Sequence, residues 1–484
     1  IAVPPPLTLR QSRRCVNRQR LLCGLLTMAL LAAKGPTQRR KQQVAMRAPR
    51  PEFVRLGHRS GAGVLSLAVA TALAACTYPY SPPSLPSATA ESAVATTSSE
   101  VRAPVTILVS VDGFRPDYLD RGVTPRLLAL ARGGVSGSMI PSFPSKTFPN
   151  HWTLVTGLVP DRHGIVANTM EDARRPGETF TMATDDPFWW SEAEPLWVTA
   201  ERAGIPSATM FWPGSNVAWG GVVTKGRNHN MPEGGVRPAE WHLFAQPRTG
   251  EQRIEALFDW LRRPTATRPR FLTLYFDTVD TVGHDPGPDS PEMNRTLGEL
   301  DGQIGRLLDG LAALGQPANL VIVADHGMAA TSSTRTIALD RVADPSSYRV
   351  LEAGPYASLH PVPGREAALE AALLRPHPHM TCWRKNAIPA RFQYGSHPRV
   401  PPYLCLAETG WTIVKTATAA AWAGGNHGYD HQSPEMRALF VAHGPAFRPG
   451  VRLPPFANTA VAPLLRQLLR LPPGQGLDGD ATPF

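Results

Sequence analysis

Six side chains in this sequence are of the types that hold a transition-metal ion through oxygen and nitrogen. Asp280 and His284 stand four apart in DTVGH, and Asp325 and His326 are adjacent in ADHGM. His427 lies in GGNHGYD, and Asp112 follows the apolar run VTILVSV. Three carboxylates and three imidazoles suit Zn2+ and make two tetrahedral sites, each with three protein ligands and one open position. That is the arrangement of catalytic zinc, and other divalent ions are compatible with it. Two such ions ~3.5–4 Å apart can clamp the attacking and leaving oxygens of an in-line phosphoryl displacement. The nucleophile this chemistry needs is Thr147 in PSFPSKTFPNH, on a Pro-punctuated turn, because a metal-bound hydroxyl is deprotonated and potent. A lone Asp–His pair is more often a surface or core contact. The six gain weight only jointly, from their recurrence at the ends of apolar runs.

Those runs define the elements that must position the site. Val105–Val111 stops at Asp112-Gly113, Phe271–Phe276 at Asp277, and Asn319–Ala324 at Asp325-His326-Gly327. Ser207–Trp212 and Arg437–Ala442 read as further strands. Helical segments are predicted over Pro125–Ala131, Pro195–Ala203 and Asn458–Leu471. The clearest covers Pro291–Leu314, where Met293, Leu297, Leu300, Ile304, Leu307, Leu311 and Leu314 recur at spacings of three and four. Continuous apolar strands separated by helices imply an α/β fold, a mostly parallel central sheet covered on both faces. Ligands in such sheets sit beyond the carboxyl ends of the strands. Residues Pro345 to about Ala420 break this rhythm. They are rich in Pro, His and Arg, with short strand-like pieces at Arg391–Tyr394 and Trp411–Thr416, and read as an insertion beside the main sheet. The catalytic domain is expected to run from 105 to 471 and a tail from 472 to 484. Gly-rich phosphate loops of the GxGxxG and Walker types are absent.

Composition narrows the class. Of 484 residues 42% are hydrophobic, enough for a large core. The net charge of +10 belongs to the front end. Residues 1–75 carry 13 Lys and Arg against the single acid Glu52, so of 49 basic and 39 acidic residues the remainder holds 36 and 38. A near-neutral body has no electrostatic footprint for DNA or RNA, and no polymeric nucleic acid is expected as a partner. The sequence begins with Ile1 rather than Met, and Met46 is the expected translation start. The runs Leu21–Ala33 and Gly61–Ala75 are short of the ~20 apolar residues of a membrane span, but have the positive flank of a secretory signal. The second ends in Leu73-Ala74-Ala75-Cys76, which resembles the lipobox of bacterial lipoproteins, with an ordinary signal peptide as the alternative. Residues 76–104 then form a Ser/Thr/Pro tether. The expectation is export to the periplasm or outer membrane with an acyl anchor on Cys76 as the only membrane contact. Cys382 and Cys405 then remain as an even pair in an oxidising compartment, either a disulfide or two separate buried thiols.

The segments VSVDGFRPDYL, PSFPSKTFPNHWTLVTGLVPDRHGIVAN, YFDTVDTVGHDPGP, ADHGM and GGNHGYD resemble the nucleotide pyrophosphatase/phosphodiesterase family of the alkaline phosphatase superfamily, from about Val105 to Leu471. The resemblance implies that Asp112, Asp325 and His326 hold one zinc, to which Thr147 also binds, and that Asp280, His284 and His427 hold the second. It implies that Thr147 attacks phosphorus to form a phospho-threonine, and that a zinc-activated water releases it. Asn168 and the backbone N–H of Phe148 would donate to a non-bridging phosphate oxygen. The family's Asp-x-x-x-His spacing selects Asp280 over its neighbour Asp277.

In the family a nucleobase stacks between two aromatic residues, and Phe148 and Tyr275 occupy the corresponding positions. Packing alone would equally explain a Phe there and a Tyr within an apolar strand. Choline-lipid-cleaving relatives share the same metal core. The segment Asn228–Gly235 matches no interpretable pattern, and Trp189, Trp190 and Trp219 are either pocket or core. The expected function is therefore a two-zinc phosphodiesterase, acting as a monomer on a small nucleotide-type diester or pyrophosphate. The alternatives are a phosphomonoesterase, a choline-lipid phosphodiesterase, or a surface-anchored binding protein without activity. A sulfatase is disfavoured, because the modified Cys or Ser with its Pro and Arg is missing around Thr147.

Overall fold

The computed structural model describes residues 101–225, 230–419 and 423–484. The leader, Cys76 and most of the tether lie outside them. Nine strands form the central sheet. In chain order they are β1 (Val105–Val111), β2 (Val135–Ile140), β3 (Ser207–Met210), β4 (Glu240–His242), β5 (Phe271–Phe276), β6 (Ala318–Val323), β7 (Ala438–His443), β8 (Val451–Arg452) and β9 (Phe456–Ala457). Their spatial order is β8-β2-β7-β6-β1-β5-β3-β4, with β9 also paired to β2. Only β7 runs against its neighbours β6 and β2; the other pairings are parallel.

Every residue of β1 is buried, as a strand covered on both faces requires. Its register with β6 pairs Ser110 with Val323, and its register with β5 pairs Val111 with Phe276. The carboxyl ends of three adjacent strands are therefore nearly level. The chain leaves all three at one edge, where Asp112, Asp277 and Asp325 follow.

Helices cover the two faces, α3 (Gly250–Leu261) among them. α1 (Pro125–Gly133) and α5 (Pro291–Ala313) pack together, and the leucine stripe of α5 is buried as its spacing predicts. Asp301 interrupts that stripe and is buried for a reason. Its carboxylate accepts the backbone N–H groups of Arg126 (3.1 Å) and Leu127 (2.8 Å) at the start of α1, where Thr124 supplies no side-chain cap. The final helix is shorter than predicted. A 3-10 turn covers Asn458–Ala460, regular helix (α6) runs only over Val461–Leu468, and Arg470 takes a positive φ of 57°.

Within the expected insertion, a four-stranded antiparallel sheet uses Tyr348–Glu352, Tyr356–Pro361, Met380–Arg384 and Tyr403–Ala407. Cys382 and Cys405 are directly opposed on neighbouring strands and joined as a disulfide. Arg391–Tyr394 is not a strand. It forms a 3-10 turn over Ala390–Phe392 followed by Gln393 at φ 48°. Its aromatic residues serve as plugs instead, with Phe392 and Tyr394 packing on Phe143 at centroid distances of 4.6 and 5.3 Å. Trp411–Thr416 contains the strand Thr412–Val414, paired in parallel with Thr336–Ala338. Among the described residues no helix is long and apolar enough to cross a membrane.

Candidate active site

Thr147 opens α2 (Thr147–Thr156), and the turn before it is clamped from inside that helix. Asn150 accepts the Ser142 N–H at 2.8 Å and donates to the carbonyls of Pro144 (3.0 Å) and Lys146 (2.9 Å). Ser145 Oγ donates to the Tyr429 carbonyl at 3.0 Å, and Phe143 is buried beneath. Thr147 Oγ1 thereby comes to 3.3 Å from His326 Nε2.

All six expected ligands converge near it. His326 Nε2 lies 2.9 Å from Asp325 Oδ2 and 3.4 Å from Asp112 Oδ1. His427 Nε2 is 3.6 Å from Asp280 Oδ1, and His284 Nε2 is 3.5 Å from Asp280 Oδ2. Asp280 and His284 occupy the first and last turns of α4 (Thr278–His284), so both face one way. The rings of His326 and His427 stack at 3.5 Å. Each of the three imidazoles donates Nδ1–H to a backbone carbonyl at 2.9 Å: His326 to Gly327, His427 to Ser145 and His284 to Gly425. Every Nε2 lone pair is thus turned toward the carboxylates, the orientation of a metal-ligating histidine.

Asp112 Oδ1, Asp280 Oδ1 and Asp325 Oδ2 are buried and have no hydrogen-bond partner. Carboxylate oxygens and ring lone pairs are all acceptors, so they repel unless positive charge lies between them. Ligand bonds of ~2.0–2.2 Å place tetrahedral edges at ~3.3–3.6 Å; the separations of 3.4, 3.5 and 3.6 Å match that edge, and the Asp325–His326 pair at 2.9 Å is closer than it. The residues fit divalent cations. Electrostatics say the same. Burial, with Asp325 and Asp280 adding to it, pushes the Asp112 carboxyl well up, and burial also raises Asp280. Burial would raise Asp325 too, but in the cation-free fold His326 and His151, when protonated, hold it well below its ordinary value, and Asp325 in turn raises His326.

The division into two sites is less simple than expected. The tightest groupings are Asp280, His326 and His427, and Asp112, His151 and Asp325. His326 stands between them and can serve either. His284 is at the edge, with 39% of its side chain exposed.

His151 is not marked by the ligand spacing, although it lies within the nucleophile motif, one helical turn after Thr147. It is fully buried. Its Nδ1–H donates to the Thr147 carbonyl at 2.9 Å, Ser110 Oγ meets its Nε2 at 2.8 Å, and Asp325 Oδ2 lies 3.4 Å away. Both ring nitrogens are engaged, so His151 ties the nucleophile's turn to β1 and to Asp325 rather than offering a lone pair.

Asn168 Oδ1 accepts the Phe148 N–H at 3.0 Å, leaving its Nδ2 as the donor. Phe148 is half-buried, with Trp190 and Phe180 at centroid distances of 5.9 and 6.1 Å. Trp189 and Trp190 are core, and Trp219 donates its indole N–H to the Ala193 carbonyl at 2.7 Å. Tyr275 is held otherwise than a base platform would be. Its hydroxyl donates to Asp112 Oδ2 at 2.7 Å, and the rings of His151 and Phe244 pack on it at 5.3 and 5.9 Å. The open ring beside it is Phe244, 52% exposed. Nothing in the local pattern of Trp241–Ala245 marks Phe244 before the fold places it. Asp277 is engaged elsewhere, as partner of the buried Arg253 at 2.7 Å. The segment Asn228–Gly235 lies partly outside the described residues.

The sequence profile described as "Type I phosphodiesterase / nucleotide pyrophosphatase" matches residues 106–430. An uncharacterized pyrophosphatase/phosphodiesterase of Schizosaccharomyces pombe is 37% identical over 78% of this chain and 80% of its own length. The mouse bis(5'-adenosyl)-triphosphatase enpp4 is 36% identical over 78% and 80%. Human ectonucleotide pyrophosphatase/phosphodiesterase 5 superposes with a TM-score of 0.72 at 33% identity, covering 78% of this chain and 98% of that one. A murine form of that protein, inactivated by a threonine-to-alanine change and in complex with AMP, gives the same TM-score at 34% identity, over 79% and 98%.

Two measurements test the site. Unfolded Asp112 ionises near 3.8, whereas in the cation-free fold it keeps its proton to well above that value. The cation-free protein therefore loses stability as pH rises through this interval, while cation binding strengthens as its ligands deprotonate. The difference in melting temperature between zinc-saturated and chelator-treated protein is expected to widen as pH rises above the ordinary carboxylate range; a constant gap would contradict this. His151→Ala is expected to cost about 10- to 100-fold in kcat or zinc affinity with little change in KM, and wild-type values for both would remove its positioning role.

Proposed function

The chain belongs to the type I phosphodiesterase / nucleotide pyrophosphatase family of hydrolases, and we propose that it releases nucleoside monophosphate from small nucleotide-type diesters or pyrophosphates through a phospho-threonine. The observation that carries this reading is Thr147 Oγ1 at 3.3 Å from His326 Nε2, beside three carboxylates with orphaned oxygens. We assign Asp112, Asp325 and His326, with Thr147, to one divalent cation and Asp280, His284 and His427 to a second. Zinc is the preferred ion, because the donors are oxygen and imidazole nitrogen in sets of three. Cations bound there would neutralise phosphoryl oxygens and make hydroxyl and water oxygens more acidic.

The protein's own residues do the rest. Thr147 Oγ1 forms a bond to phosphorus as the bond to the leaving oxygen breaks. Water then attacks the phospho-threonine, the Thr147 Oγ1–P bond breaks, and monophosphate departs. The Asn168 Nδ2 and the Phe148 N–H are the donors for a non-bridging oxygen, where charge builds in the transition state. For Phe148 this means exchanging its present acceptor, Asn168 Oδ1, for substrate. The α2 N-terminus adds a favourable field for an anion. A nucleobase lies against Phe148 and Phe244, the half-buried and the exposed ring of the site, since stacking accepts any base. The murine relative in complex with AMP and the mouse bis(5'-adenosyl)-triphosphatase support a nucleotide substrate over a choline lipid.

The wild-type protein should cleave p-nitrophenyl thymidine monophosphate in clear preference to p-nitrophenyl phosphate. Thr147→Ala should retain zinc yet lose kcat by about 10^3-fold or more. Preference for the monoester would favour a phosphomonoesterase, and turnover by the alanine variant would exclude the covalent route.

Export with a lipid on Cys76 is part of the same reading, supported by the Leu-Ala-Ala-Cys sequence after a positively flanked apolar run. Mass spectrometry of membrane-associated protein should find an acylated Cys76 at the mature N-terminus. An unacylated N-terminus elsewhere would refute the anchor.

A further inference from the structure

We infer that the insertion is the frame that positions Asn168, with Tyr394 and Arg399 as its positioning residues; the inference rests on Asn168 acting as the phosphate donor proposed above. Asn168 stands on a loop. Between the helical turn Pro160–His163 and the short strand Met170–Glu171 the chain forms no regular structure, so no ladder of backbone hydrogen bonds fixes its side chain. A donor that must meet charge developing on a non-bridging oxygen works only if it is in place beforehand. A displacement of about 1 Å can cost about 100-fold in rate. The loop must therefore take its rigidity from elsewhere.

Three hydrogen bonds from the insertion hold the loop on both sides of Asn168. Before it, Arg399 Nη1 donates to the Gly164 carbonyl at 2.7 Å, and the Tyr394 hydroxyl donates to the Val166 carbonyl at 3.0 Å. After it, the Thr169 N–H donates to Glu352 Oε1 at 3.0 Å. Val166 is fully buried, so its carbonyl depends on Tyr394 rather than on water. Arg399 does more. Its side chain has no exposed surface. Nη1 also donates to the Trp189 carbonyl at 2.9 Å, Nε donates to Asp172 at 2.8 Å, and Nη2 lies 3.1 Å from Glu192. Gly164, at φ 78°, permits this approach, since a Cβ there would come within 3.0 Å of Arg399 Nη1. One guanidinium thus ties the Asn168 loop to the turn Pro187–Trp190, whose Trp190 packs on Phe148 at 5.9 Å. A planar fork of donors reaches all these acceptors together, whereas a lysine ammonium is a single point.

Both positioning residues belong to one arm. Residues 383–404 join Cys382 to Cys405, which are directly opposed and disulfide-linked, so the arm is closed at its base. Ser396 fastens it further, its N–H and hydroxyl both reaching Asp161 Oδ2 at 2.6 and 2.7 Å. From this arm Phe392 and the Tyr394 ring pack on Phe143, in the turn before Thr147. The Tyr394 hydroxyl and Arg399 hold the Asn168 loop. The arm therefore touches the approach to the nucleophile and the seat of the donor at once, and sets one against the other.

Two variants test this. Tyr394→Phe keeps the ring on Phe143 and removes only the hydroxyl. Arg399→Lys keeps a positive charge beside Asp172 and Glu192, where alanine would strip both carboxylates of it and endanger folding. Kinetics on p-nitrophenyl thymidine monophosphate would be measured for each, alone and combined with Asn168→Ala, well below every variant's melting temperature. In the otherwise native chain kcat and kcat/KM should fall together, about fivefold for Tyr394→Phe and about 20-fold for Arg399→Lys, with KM changed by less than about twofold. Asn168→Ala alone should be slower by about 10^2-fold, and in that background neither change should cost more than about twofold further. Equal losses in the two backgrounds, or native kcat in the single variants, would overturn the positioning role while leaving the phosphodiesterase reading intact. Wild-type inactivity on this diester would overturn the two together.

Discussion

The site is built almost entirely of acceptors. Two buried carboxylates, a third that is partly exposed, and three imidazole lone pairs are turned toward one another, and each imidazole is fixed in that sense by a carbonyl behind it. Such a cluster is unfavourable by itself. Desolvation and like charge already push Asp112 toward its protonated form. The fold tolerates the arrangement because the sheet and its helices over-determine where each side chain sits, and a bound cation would relieve it.

That over-determination starts from strand register. β5, β1 and β6 are adjacent and parallel, and their ends are nearly level. Residues one or two positions beyond those ends therefore come together with little further design. The nucleophile needs a different solution, since it belongs to a helix N-terminus. Asn150 holds its approach turn, and His151 ties its first turn to β1 and Asp325. The Phe392 and Tyr394 plugs from the insertion pack on Phe143 of the same turn, so the insertion helps to position Thr147.

How much was legible in the sequence follows from which contacts are local. β1, β5, β6 and α5 were readable because continuous or 3.6-periodic apolar patterns reflect burial directly. Asp112, Asp325 and His326 were readable because they closely follow strand ends, and Asp280 and His284 because their spacing of four puts both on one face of a helix. Residues whose roles depend on distant partners were not. Arg391–Tyr394 has strand-like composition, but its aromatic side chains are consumed by Phe143, and Gln393 turns the chain. Tyr275 was expected as a platform, whereas its hydroxyl finds Asp112, 163 residues away in sequence. Phe244 gained its place only through the packing of β4 at the sheet edge. His151 could have been found, since a residue four beyond a helix-initial nucleophile shares its face.

The most direct measurement is anomalous diffraction at the zinc edge from crystals of the intact protein grown with zinc. Two peaks are expected about 3.5–4 Å apart, one among Asp112, Asp325 and His326 within bonding reach of Thr147 Oγ1, the other among Asp280, His284 and His427. No peak there, or a single ion held by His151, would contradict the proposed two-cation site.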